Sequence, residues 1–164
     1  MISIRKTSLL DFPIIQSIAY QTWPETYGQI LSKAQLNFML DKFYALDFLK
    51  LNSDNNHIFY IIEENQKPIG FIGIEHNFEG KLITKIHKLY VLPNNQGKGI
   101  GKLIINFIAD LAKKSNSECL ILNVNRFNKA TIFYQKTGFK IIQEVNIEIG
   151  NGYLMEDFVM EKQI

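Results

Sequence analysis

Cysteine is nearly absent from the chain. The one thiol, Cys119, excludes an internal disulfide and suits a reducing compartment. It lies in an apolar run, C-L-I-L-N-V, which marks it as a core residue rather than a nucleophile. Long apolar runs are missing too: none approaches the roughly 18 residues that a membrane span requires. The first residues, M-I-S-I-R-K-T, lack the apolar centre of a secretory leader. These absences lead us to expect a cytoplasmic protein with no membrane partner. No internal repeat, linker or low-complexity tract interrupts the chain. Its 164 residues are 46% hydrophobic, enough for one globular domain spanning 1–164 with a substantial core.

A large net charge is also lacking, since the total is +2, but the distribution is uneven. Residues 81–143 hold eleven Lys or Arg against Asp110 and Glu118, a net of +9, and the remainder carries −7. The basic segment lacks the interleaved aromatics of a stacking platform, so a phosphorylated cofactor explains it better than nucleic acid does. The acidic remainder suits a cationic second substrate.

Periodicity supplies the elements. Ile2 and Ile4 alternate as a short strand, followed by a helix that Asp11 can cap, with Pro13 in its first turn and Ile14, Ile15, Ile18 and Ala19 inward. Thr22–Gln29 reads as an aromatic, turn-prone loop. Its Trp23 and Tyr27 are either core lids or part of a substrate mouth. Ser32 can cap a second helix with Leu36, Met39, Leu40 and Phe43 inward, and a further helical turn runs through 48–51. Strands at 57–63 and 69–75 form a hairpin through Glu64–Pro68, and a longer strand covers 82–92. After a helix come a strand at 119–124, a short helix capped by Asn128, and a last hairpin turning at Gly150-Asn151-Gly152.

The chain is organised around V-L-P-N-N-Q-G-K-G-I-G-K-L-I-I-N-F-I-A-D-L, residues 91–111. Behind Gly99, Ile100, Leu103, Ile104, Phe107, Ile108 and Leu111 recur at helical spacing, so a glycine-rich turn opens an amphipathic helix. Unsatisfied N–H groups at that helix start, bare of side chains at Gly97, Gly99 and Gly101, form an anion cradle. A Walker A loop does not fit, because Gly101-Lys102 precedes Leu103 and the earlier glycine falls on Gln96. A Rossmann fingerprint would need glycine at 102, which is lysine.

What fits is Q-x-x-G-x-G, from Gln96 to Gly101. This resembles the acetyl-CoA pyrophosphate loop of the GNAT superfamily of N-acetyltransferases. A second segment, L-N-V-N-R-F-N-K-A-T-I-F-Y-Q-K-T-G-F at 122–139, is similar to that family's L-x-V-x-x-x-N-x-x-A-x-x-F-Y-x-K-x-G-F. The resemblance covers nearly the whole chain. It implies an α/β (α+β) GNAT fold, a mixed central sheet of about seven strands flanked by about four helices.

The resemblance further implies acetyl-CoA as cosubstrate, no metal, and direct attack of an amine within a ternary complex. It assigns the cofactor to Leu89, Tyr90 and Val91, to Gln96, Gly97, Lys98, Gly99, Ile100, Gly101 and Lys102, and to Asn123, Asn128, Phe133, Tyr134 and Lys136. Backbone N–H groups of Leu89–Val91 would hold the oxyanion, and Tyr134 would protonate the leaving thiolate. Histone-type members carry a glutamate base where this chain has Lys85. His87, on the same strand face, and Glu75 are the alternative bases, with water as the third route.

The layout I-R-K-T-x-x-x-D-F, T-W-P-E-T-Y and K-I-H-K-L-Y-V-L-P-N-N-Q-G-K-G-I-G is similar to bacterial polyamine acetyltransferases of the PaiA type. The implied acceptor is a small-molecule cationic amine, ahead of a protein N-terminus or an amino sugar. A non-catalytic acyl-CoA sensor is the reading from another class. The last hairpin is suited to pair across a homodimer interface.

Overall fold

The computed structural model describes residues 1–164. In chain order the elements are β1 (Ile2–Lys6), α1 (Phe12–Tyr27), α2 (Lys33–Phe43), α3 (Leu46–Asp54), β2 (Ile58–Glu64), β3 (Lys67–Glu75) and β4 (Ile83–Val91). There follow α4 (Ile100–Lys114), β5 (Cys119–Asn125), α5 (Ala130–Lys136), β6 (Lys140–Gly150) and β7 (Tyr153–Gln163). The strands form one mixed sheet in the order β1-β2-β3-β4-β5-β7-β6. Five helices stand where about four were expected, because the single turn anticipated at 48–51 is the full helix α3. The chain divides into two compact units, Met1–Glu75 with Lys88–Gly101, and His76–His87 with Lys102–Ile164.

In the first unit β1, β2 and β3 pair antiparallel, with Ile4 opposite Ile62 and Phe59 opposite Gly73. The β2–β3 hairpin is tighter than the sequence suggested. Only Asn65 and Gln66 turn, both at positive φ (51° and 67°), as a two-residue loop following the sheet's twist requires. Pro68 therefore belongs to β3, beside a register shift at Ile62/Glu63.

Asp11 does not cap α1 through its side chain. Its two oxygens accept the Arg5 guanidinium fork, both at 2.9 Å, and one also accepts from the Ser8 N–H at 2.8 Å. A bidentate charged pair outweighs a single cap bond. Arg5 holds the Asp11 carboxyl below its ordinary range.

Thr22–Gln29 is not a loop. Helix α1 runs on to Tyr27 with Pro24 inside it, and Gly28 N–H donates to the Pro24 carbonyl at 2.9 Å. Proline breaks one intrahelical bond, but burial of Thr22 and Trp23 on the same stripe as Ile15, Ile18 and Ala19 outweighs that loss. Ser32 caps α2 as expected, its hydroxyl accepting from Gln35 N–H at 3.1 Å.

In the second unit the start of β4 runs parallel to β5, with Lys85 opposite Ile121. β7 pairs antiparallel with β5, placing Asn123 opposite Val159 and Asn125 opposite Asp157. Strand β6 lies outside β7, and the two join through Asn151-Gly152, both at positive φ. Helix α4 buries Ile104, Ile105, Ile108 and Ala112, whereas Leu103 is 44% exposed. The stripe is centred on the 104/108 row, which leaves Leu103 on the flank. Hydroxyls join the strand starts: Thr84 meets Ser117 at 2.7 Å and His76 Nδ1 at 2.7 Å. Cys119 is buried, and burial pushes its thiol up, as befits a core residue.

Candidate active site

The glycine-rich turn belongs to the first unit. Pro93–Asn95 forms one 3-10 turn after β4, and Gln96 reaches back to donate to the Val91 carbonyl at 2.9 Å. Asn95 donates to Glu64 at 2.8 Å, and Leu92 N–H to Ile69 carbonyl at 2.7 Å, so the loop is fixed to β2 and β3. Gly97 and Gly99 sit at φ of 78° and 75°, and a Cβ added at either would meet nothing within 4 Å. The backbone here is left-handed and open on its outer side, and it leads into α4 at Ile100. That is the geometry of a cradle for an oxyanion.

Behind the loop, Gly70 permits the strands to close: a Cβ there would stand 2.5 Å from the Tyr90 carbonyl oxygen. Tyr90 joins an aromatic cluster of the same unit. The Trp23 ring lies 4.7 Å from Tyr27, 5.6 Å from Tyr44 and 5.9 Å from Tyr90, and the hydroxyls of Tyr27 and Tyr90 are 2.9 Å apart. Trp23 is buried and Tyr27 half-buried, both on helix α1. Lys88 points its ammonium at the face of Tyr44, 5.4 Å from the ring centroid. Burial pushes its amine down to about 8. Glu75, at the end of β3, lies 3.7 Å from His57 Nε2.

The second unit holds the other group of residues. Asn128 Oδ1 accepts from the Ala130 N–H at 2.9 Å and starts α5, while Asn125 Oδ1 accepts from Phe127 N–H at 2.9 Å. Tyr134 is buried between Phe133 and Phe139, at centroid distances of 5.4 and 5.6 Å. Gly138, at φ 101°, ends that helix, and Lys162 donates to the Thr137 carbonyl. Phe133 is half-buried and Lys136 exposed. On β4, the Lys85 ammonium lies 4.5 Å over the Phe78 ring, and the His87 ring meets Phe78 edge-on at 5.9 Å.

Two ionisable groups escaped the sequence reading, Lys88 and Asp157. Lys88 hid among the strand residues that alternation assigns to either face, because the ring it faces, Tyr44, comes from the end of α2, far away in sequence. Asp157 had a legible signal, a lone carboxylate at an inward position of D-F-V-M, two residues before the buried Val159.

Residues 55–141 match a family model described as an acetyltransferase (GNAT) domain. The spermidine N(1)-acetyltransferase of Thermoplasma acidophilum is 30% identical over 172 residues, covering 99% of this chain and 97% of that protein. An uncharacterized N-acetyltransferase of Methanocaldococcus jannaschii is 29% identical over 143 residues, 84% of this chain, which spans only 59% of that relative's length. Among solved structures, the PaiA N-acetyltransferase of Thermoplasma acidophilum in complex with coenzyme A superposes with a TM-score of 0.82 at 27% identity. It covers 100% of this chain and 99% of that one.

Proposed function

Since the chain belongs to the GNAT acetyltransferase family, we propose that it moves an acetyl group from acetyl-CoA to a primary amine, with a small cationic amine such as a polyamine as acceptor. The observation that carries this reading is the open, left-handed turn at Gly97 and Gly99. The relative that acts on spermidine, alike along nearly the whole chain, supports the acceptor class. On this reading residues 1–164 act as one acetyltransferase domain.

The residues divide the work. Backbone N–H groups of 96–101 and the ammonium groups of Lys98 and Lys102 take the pyrophosphate. Asn128 spends its carbonyl on the α5 cap, which leaves its amide free to donate to the pantetheine arm. Backbone N–H groups of Leu89–Val91 hold the carbonyl oxygen as it gains charge. Tyr134 gives its proton to the departing thiolate, whose basicity near that of a free thiol, about 8.5, makes it a better leaving group once protonated. The acceptor must also lose a proton. An alkylamine with a pKa near 10.4 lies roughly 3 units, or about 4 kcal/mol, from its neutral form at pH 7.

The test is thiol release from acetyl-CoA with spermidine, spermine, an aminoglycoside, amino acids and a short peptide with a free N-terminus, against a control without acceptor. Release with the polyamines above the others is the expected result. Release with the peptide or amino sugar alone would overturn the acceptor class, and binding of CoA without release from any amine would overturn catalysis.

A further inference from the structure

Strand β7 reads Y-L-M-E-D-F-V-M-E-K-Q and places a carboxylate where alternation calls for an apolar side chain. Asp157 is only 3% exposed. A buried carboxylate ordinarily carries an ion-pair partner, and this one has none within 4.0 Å. Strand β6 sets Val145 opposite it, and β5 sets Asn125 opposite it.

The charged groups that act on Asp157 are Lys85 from β4 and Arg126 after β5, and both are engaged elsewhere. Lys85 lies over the Phe78 ring, and Arg126 donates to Glu144 at 3.0 Å and to Asn146. Burial raises the Asp157 carboxyl above its ordinary range. The Asn123 amide, and Lys85 and Arg126 from a distance, oppose that rise without cancelling it. The result is a carboxylate largely withdrawn from bulk water, with no fixed counter-ion and an enhanced affinity for a proton.

Its face of the sheet is the relevant one. Lys85 stands opposite Ile121; Asn123 and Asn125 follow on that face of β5; and Asn125 stands opposite Asp157. Asn123 is among the residues assigned to the cofactor. We propose that Asp157 is the proton acceptor for the incoming amine. Of the two bases suggested by the sequence, Glu75 lies 3.7 Å from His57 Nε2 and the His87 ring meets Phe78 edge-on.

This inference rests on the acetyltransfer reading. The carboxylate takes one proton from the acceptor's ammonium, which becomes a neutral amine. The amine's lone pair forms the N–C bond at the thioester carbonyl, the C–S bond breaks as Tyr134 gives its proton to the sulfur, and the nitrogen's surplus proton replaces the one Tyr134 gave up. Asp157 then returns its proton to water, so one proton is released per amide formed. Between turnovers the unpaired carboxylate also draws a cationic acceptor toward this face.

The experiment compares wild type with Asp157→Asn and Asp157→Glu, measuring kcat and kcat/KM against pH, CoA affinity by titration, and thermal stability. Asn should lower kcat by about 10²-fold and abolish the acid limb. In wild type that limb falls as pH drops through the raised carboxyl pKa. CoA affinity should hold, thermal stability should not fall, and Glu should restore part of the rate. A wild-type rate and acid limb in Asp157→Asn would remove Asp157 as the acceptor and leave the acetyltransfer reading intact. Parallel losses of kcat and CoA affinity would overturn it in favour of a structural role. A wild-type protein that binds CoA and acetylates no amine overturns both readings together.

Discussion

Lys88 and Asp157 pose one problem in the two units with opposite signs. Each is an ionisable side chain on a strand, each lacks an ion-pair partner, and burial pushes each toward its neutral form. Their surroundings differ for a physical reason. The π-face of Tyr44 attracts an ammonium and offsets part of its lost hydration. The same face would repel a carboxylate, so Asp157 is flanked by the Asn123 amide. One unit tolerates its charge with a ring and carries the open turn at Gly97 and Gly99; the other tolerates its charge with an amide and carries the buried Tyr134. On the proposed mechanism, changes at the Gly97–Gly99 turn should act on binding and changes at Tyr134 and Asp157 on turnover.

The severest test of that division is Tyr134→Phe. Removing the hydroxyl should lower kcat by about 10²-fold or more. The ring's packing against Phe133 and Phe139 survives, so CoA affinity should stay nearly unchanged. Thiol release and a CoA titration on the same sample read both quantities, and equal activity in mutant and wild type would remove Tyr134 from the chemistry.

Gly99→Ala should show the opposite pattern. Its methyl meets no protein atom, so the fold tolerates it at a cost of about 1 kcal/mol for the left-handed backbone. The methyl would, however, occupy the approach of a phosphate. We expect affinity for CoA to fall about tenfold while kcat at saturation stays within a few-fold. A fall in kcat with affinity intact would break the division between the turn and the proton-holding groups.

The charge comparison itself can be read from stability against pH. An unfolded chain keeps a lysine proton up to the ordinary 10.5, but folded Lys88 releases it near 8. Between those values the unfolded state binds more protons, so stability rises with pH. Lys88→Met should abolish that rise, on the order of 1 kcal/mol or more. The folded Asp157 carboxyl keeps its proton above the ordinary 3.8, so stability falls as pH rises through that window. Asp157→Asn should remove the fall. Denaturant midpoints of each variant minus wild type, from pH 4 to 10, would show both slopes or refute them.

The sequence made the loop and the α5 motif legible because both are local. Glycines at 97 and 99 dictate backbone conformation, and Asn128 caps the helix two residues on. It misread Thr22–Gln29 because Pro24 and Gly28 carry strong turn propensities, whereas burial of Trp23 and Thr22 is a tertiary effect that propensity does not contain. The candidate site was harder still. Lys88 and Asp157 owe their character to residues more than 30 positions away, Tyr44 in one case and Lys85 and Asn123 in the other. Alternation gives the face of a strand but not what lies upon it.

The smallest effect expected is at Cys119. Its thiol is buried on β5, and burial first, then the charge of Glu161, raises its pKa, so little thiolate exists at neutral pH. A thiol reagent should leave the native protein unlabelled and react at a rate set by unfolding, with denaturant restoring stoichiometric labelling. Cys119→Ala should retain turnover within about twofold and lose roughly 1 kcal/mol of stability from the shortened side chain. Fast labelling of the native protein together with loss of activity would place a reactive nucleophile in the second unit. Direct transfer from acetyl-CoA to the amine would then give way to a route through an acetylated thiol.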